Sequence, residues 1–135
     1  ISNAFKLAGL KPNSKVYITN KGNKCLSSLE YKFTKILENH NIPFQKEVYY
    51  SSVIPNFDRR YRFDYVIELN GNKYYIEIFG ITGNEKYEKR KNKKIQLCKD
   101  NNIPLVTFEY NDFWSNTNEK LYELLLEKIF KSIKI

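Results

Sequence analysis

In "SSLEYKFTKILENHN" (residues 27–41), Leu29, Phe33, Ile36 and Leu37, with Leu26 just ahead of them, recur at the spacing of one helical face. Ser27 stands at the N-cap position and Asn41-Ile42-Pro43 lies beyond the end, so the pattern predicts a first helix there. The period then changes. "KEVYYSSV" (46–53) reads as a strand, "IPNFDRRY" (54–61) as a basic loop, and "RFDYVIEL" (62–69) and "KYYIEIF" (73–79) as two strands about an Asn-Gly turn. "NEKYEKRKNKKIQLCKDNN" (84–102) returns to a helical pattern and ends at Asn-Asn. An apolar strand "IPLVTFEY" (103–110) and an amphipathic helix around "NEKLYELLLEKIFKSI" (118–133) follow. A helix between the third and fourth strands is a crossover that lets those strands lie parallel. The pattern therefore predicts an α+β fold with an αβββαβ core, a mixed sheet flanked by helices, and an extra C-terminal helix. Residues 1–24 are basic, rich in Asn and Gly, and hold one strand-like run, "KVYIT"; they read as an arm or a remnant of a neighbouring domain, with the folded domain spanning 25–135.

The Asn70-Gly71 turn carries the first chemical question. Both central residues of a type I′ turn need positive φ, and Asn-Gly is the strongest short signal for it. Pairing back from that turn sets Leu69 against Asn72, Glu68 against Lys73, Val66 against Tyr75, and Asp64 against Glu77. Tyr65, Ile67, Leu69, Tyr74, Ile76 and Ile78 then form one apolar face, and Glu68 with Lys73 is a favourable pair. Asp64 and Glu77 are not: opposed carboxylates repel with Cβ atoms about 5 Å apart. A hard divalent cation such as Mg²⁺ explains their closeness, since it binds one or two carboxylates and completes its shell with water and phosphate. Solvated acids on an exposed face are the alternative, which the apolar neighbours Val66 and Phe79 weaken. A third acid, Glu30, fits a capping box with Ser27 and by itself reads as a cap. On the basic helix, at about 100° per residue, Lys94 falls between Leu97 and the group Tyr87, Ile95 and Cys98, which turns an ammonium toward the sheet. Either its stem snorkels to solvent or it meets the two acids.

Composition narrows the classes. With 23 Lys and Arg against 15 Asp and Glu, the 135-residue chain carries a formal charge of +8, which suits a polyanionic partner, nucleic acid first. Two Cys and a single His exclude a disulfide framework and His-rich metal or nuclease sites. The 11 Tyr and 9 Phe, within a 41% hydrophobic share, suffice for a core. No apolar run approaches the roughly 20 residues that span a bilayer, so we expect no membrane partner and an intracellular setting. The chain has no Met, so a domain of a longer protein, with other domains as partners, is the expectation.

These residues, in this order of elements, resemble the PD-(D/E)XK nuclease superfamily over roughly residues 25–110, through "CLSSLE" leading the first helix, the "RFDY" strand, and "YIEIFGITGNEKY" before a Lys-rich helix. The resemblance implies a restriction-endonuclease-like fold and a Mg²⁺-dependent DNA endonuclease, with Mn²⁺ able to substitute and two copies able to cooperate. Glu30, Asp64 and Glu77 would gather the metal, with the Ile78 carbonyl as a further ligand. The family's Lys two residues after the Glu is Phe79 here. Branches that move this Lys to the following helix would use Lys94, with Lys86 and Arg90 as substitutes. Asp58 of "PNFD" lies in a loop, so Asp64 is the preferred strand acid. Arg59, Arg60, Arg62, Lys86, Arg90 and Lys91 are the expected DNA-backbone contacts, which position without reading sequence. A catalytically inactive nucleic-acid-binding domain of the same fold is the alternative.

Overall fold

In the computed structural model, which describes residues 16–57, 61–80 and 83–133, a short hairpin of β1 (Tyr17–Ile18) and β2 (Lys24–Cys25) precedes α1 (Ser28–Asn39). Three antiparallel strands follow, β3 (Phe44–Tyr49), β4 (Arg62–Leu69) and β5 (Asn72–Phe79), then α2 (Glu85–Asp100), β6 (Leu105–Glu109), α3 (Tyr110–Trp114) and α4 (Asn118–Ile133). The sheet runs β3-β4-β5-β6, with β6 parallel to β5 across the α2 crossover, so the architecture is a four-stranded mixed sheet flanked by helices. The arm up to residue 15 and Arg59 and Arg60 lie outside the described residues.

Helices α1 and α2 stop on the same local sequence, Asn-Ile-Pro. Asn41 and Asn102 take φ of 54° and 55°, and Ile42 and Ile103 donate N–H to Leu37 and Cys98 at 2.9 Å. This is the Schellman stop, in which a left-handed residue after the cap turns the chain away and satisfies the last carbonyls. The following Pro43 and Pro104 cannot continue a helix, and their carbonyls accept from Glu68 and Tyr75 at the start of the β3 and β6 pairings.

The β4–β5 hairpin turns at Asn70 (φ 53°) and Gly71 (φ 81°) and pairs Leu69 with Asn72, Glu68 with Lys73, Val66 with Tyr75, Ile67 with Tyr74 and Tyr65 with Ile76. One face, with Tyr65, Ile67, Tyr74 and Ile76, packs on α1 and α4. The other, with Val66 and Tyr75, packs with Leu97 and Cys98 of α2, Tyr50 and Phe63. Phe33 is fully buried at the centre of the first core, edge-on to Tyr65, Phe108 and Phe113.

Two strands differ in extent from the sequence reading. The strand expected over 46–53 starts at Phe44 and ends at Tyr49, because the chain turns through a 3₁₀ segment, Tyr50–Ser52, that stacks the Tyr50 ring on Phe63 at 3.8 Å. The strand expected through Tyr110 ends at Glu109, where Glu109 and Asp112 form a reciprocal capping box that starts α3. Residues 16–25 are also tied to the domain: Thr19 and Asn23 both donate to the buried Glu38 of α1. Among the described residues no helix is long and apolar enough to cross a membrane.

Phe33→Ala empties the middle of this aromatic cluster. It should lower unfolding free energy by about 3–5 kcal/mol, read as a shift of the urea midpoint with little change in slope.

Candidate functional site

The regular β4–β5 pairing runs back from the turn as far as Tyr65 and Ile76. At the next step, where Asp64 and Glu77 would face each other, the ladder opens. Asp64 turns its carboxylate onto the neighbouring strand, and Oδ2 accepts the backbone N–H of Ile78 at 2.7 Å. On the other side β4 pairs with β3 at Tyr65 and Lys46 and again at Phe63 with Val48 and Arg62 with Tyr49, while Glu47, opposite Asp64 between these pairs, takes a positive φ of 53°. β5 meanwhile stays in register with β6 as far as Phe79 and Glu109. The two central strands are thus each held on their outer sides and parted at the acids.

Glu77 points from this gap under α2 and is only 3% exposed. The Tyr50 hydroxyl donates to its Oε2 at 2.6 Å, and Lys94 Nζ lies 3.3 Å from the same oxygen. The Lys94 side chain is itself 15% exposed, and its ammonium sits over the rings of Tyr61 and Tyr50 at 5.2 and 5.8 Å from their centroids. Asp64, Glu77, Ile78, Arg90 and Lys94 together line a small cavity of about 150 Å³. Asp64, Ile78, Arg90 and Lys94 also line the adjoining cleft of about 450 Å³, whose walls include Glu30, Arg62 and Tyr110.

Burial dominates the electrostatics. It pushes the Glu77 carboxyl up to about 7 from an ordinary 4.5, against the Lys94 charge and the Tyr50 hydrogen bond, with the Asp64 charge adding to the rise. The Asp64 carboxyl is also raised by burial, opposed first by the Ile78 amide and then by Lys94. Tyr50 is pushed upward by burial and by Glu77, so its phenol stays protonated and serves as a donor. Cys98, beneath the same pair, is pushed up to about 11 and remains a thiol.

The remaining expected site residues divide. Glu30 borders the cleft, but its Oε1 accepts from the Leu26 amide at 2.6 Å and its Oε2 is paired with Lys46 at 2.9 Å. It therefore works as a helix cap, reaching one residue past the usual capping-box partner. Among the described residues no group of three or more His, Cys, Asp or Glu is placed to hold a metal ion. Arg90 reaches the cleft; Arg62 does too, while paired with Glu47 at 2.7 Å. Lys91 is held by Glu109 at 2.9 Å and sits over the Phe79 ring. Lys86 is exposed and borders neither cavity. No family model matches the chain, and no curated protein matches it.

Sequence reasoning missed Tyr50 and Lys46. The sequence reads Tyr50 as part of a continuing strand, and no local signal shows that the chain leaves the sheet to bring its hydroxyl to Glu77. Lys46 lies opposite Tyr65 on the strand next to Asp64, and a count along β3 from its pairing would have found it.

Because the folded Glu77 keeps its proton to about 7 while the unfolded chain loses it near 4.5, its contribution to stability is present below the lower value and is lost as pH rises through the higher one. Urea midpoints of the metal-free protein should fall across this window. In Glu77→Gln, which preserves an acceptor for Tyr50, that fall should flatten.

Proposed function

We propose that this protein is a Mg²⁺-dependent endodeoxyribonuclease with a restriction-endonuclease-like, PD-(D/E)XK type of core. One observation carries the reading: two desolvated acids, Asp64 and Glu77, converge where a sheet ladder opens, with the Lys94 ammonium 3.3 Å from Glu77. The donor set fits a hard cation. Two carboxylates beside the Ile78 backbone, with no His or Cys ligand, match an ion that binds through one or two carboxylates and keeps water and phosphate in its other positions. Burial that raises both acids also favours a further positive charge beside them. When bound, the ion would supply a Lewis acid for a phosphodiester oxygen and lower the pKa of a water.

The chain's own residues do the rest. Tyr50 fixes the rotamer of Glu77 by donating to Oε2, and the Ile78 amide does the same for Asp64. Lys94 faces the cavity on a helix that packs on the sheet, which suits it to orient an attacking water or to offset charge developing on the phosphate. Arg90 and Arg62 on the cleft walls are suited to hold flanking phosphates. Continuing from Arg90, Lys86, Lys89, Arg90 and Lys93 occupy i, i+3, i+4 and i+7 of α2. They form one exposed cationic stripe that enters no ion pair among the described residues. Its ends are about 10 Å apart along the axis, a length that suits a short run of backbone phosphates. A second reading, a nucleic-acid-binding domain without catalysis, is favoured by Glu30 having both oxygens engaged elsewhere.

Cleavage of a panel of linear and branched DNAs in Mg²⁺, Mn²⁺ and EDTA decides between them. Mg²⁺-dependent cutting should be abolished by EDTA and reduced about 10²-fold or more by Asp64→Ala, Glu77→Ala or Lys94→Ala, with DNA affinity retained. Cleavage that is absent in every metal, with salt-sensitive binding preserved, would establish the binding module instead.

A further inference from the structure

Two exposed aromatic residues of α3, one of them on the cleft wall, have no role in the reading above. Tyr110 is 45% exposed and Trp114 is 60% exposed, although both belong to the short helix α3 whose Phe113 is wholly buried. They stand four residues apart and so on one side of that helix. Tyr110 lines the cleft together with Asp64, Arg90 and Lys94. Its ring has a defined seat: a Cβ on Gly80, the residue just after β5, would come within 3.3 Å of Tyr110 Cε2, so glycine there lets the ring lie against the backbone. The helix is likewise held. Lys91 of α2 binds Glu109, the residue before Tyr110, and Lys32 of α1 donates to the carbonyls of Phe113 and Asn116 at 2.8 Å each.

We propose that Tyr110 and Trp114 are a stacking platform for unpaired bases, and that the cleft therefore takes single-stranded DNA, or the single-stranded part of a branched DNA, in preference to continuous duplex. The inference rests on the cleft being a nucleic-acid site and names its substrate class. Charge complementarity selects the occupant. The stripe on α2 offers cations to a phosphate backbone, and α3, tied to α2 through Lys91 and Glu109, offers π faces beside it. A strand whose phosphates follow α2 can turn its bases onto α3. Single strands are held by this combination of a cationic track and stacking aromatics, whereas the base faces of an intact duplex are already stacked on one another.

Trp114 is the only Trp of the chain, so its fluorescence reports the contact directly. In EDTA, an oligothymidylate of about 12 nucleotides should bind and quench that fluorescence, and a duplex of equal charge should leave it unchanged. Trp114→Ala, at an exposed position, should weaken single-strand binding about tenfold and leave duplex binding unaltered; Tyr110→Ala should act in the same direction. Duplex binding without preference for the single strand, or equal weakening of both by Trp114→Ala, would overturn the substrate class while leaving the nuclease reading standing. Failure of every DNA to bind at low salt would remove both.

Discussion

One end of this sheet is arranged around a carboxylate kept out of water. Glu77 sits on the central strand β5 beneath α2, where an ionised acid must either be met by donors and opposite charge or take up a proton. The fold answers in part. Tyr50 gives a hydrogen bond and Lys94 gives a charge, both to Oε2. These do not offset the burial completely, since the group still titrates near 7. At neutral pH the acid is therefore poised, and an additional cation at the gap would draw off its proton and complete the compensation. The same demand organises the neighbours: Tyr50 leaves its strand to reach the carboxylate, and Lys94 is held in a mostly covered position that a lysine without a partner would avoid.

Parting the strands is what makes room for this. An antiparallel ladder carried straight through would give Ile78 a backbone partner on β4; here the Asp64 side chain takes that N–H. A carboxylate oxygen replaces a carbonyl as the acceptor for the Ile78 amide, and among the described residues no buried side-chain polar atom lacks a partner. The strain is carried by the outer strand, where Glu47 has a left-handed φ next to the break and its carboxylate is taken by Arg62. Because β3 resumes its pairing with β4 at Val48 and Phe63 and β6 stays in register with β5 past the acids, the gap is a local feature of the sheet, and side chains set into it keep their positions.

The element order and the hairpin register were legible because they rest on short-range rules: period, turn chemistry at Asn70-Gly71, and the Asn-Ile-Pro stops. The inward position of Lys94 was legible for the same reason, since helical angle alone turns it toward Glu77. What could not be read depends on contacts between distant segments. Counting residues back from the turn gives the facing of Asp64 and Glu77 but says nothing of the ladder opening there, because that depends on Asp64 finding the Ile78 amide. The departure of Tyr50 from its strand depends on Phe63 and Glu77. The start of α3 lay within reach, as Glu109 and Asp112 have capping spacing, yet the apolar run "IPLVTFEY" outweighed it.

Glu30 shows how one residue serves two neighbourhoods. Its oxygens close the N-terminus of α1 through Leu26 and hold Lys46, and Lys46 in turn donates to the Lys24 carbonyl of the β1–β2 hairpin and lies 3.8 Å from Cys25 Sγ. The acid is thus the fastening between α1, β3 and the hairpin. It still borders the cleft, and its charge is one of the influences that raise Asp64. A carboxylate that structural partners hold on both oxygens acts on its surroundings through its field and not as a free ligand. The donor set facing the gap is then a pair of acids with an ammonium, and any positive charge arriving there is drawn by Asp64 and Glu77 directly and by Glu30 at a distance.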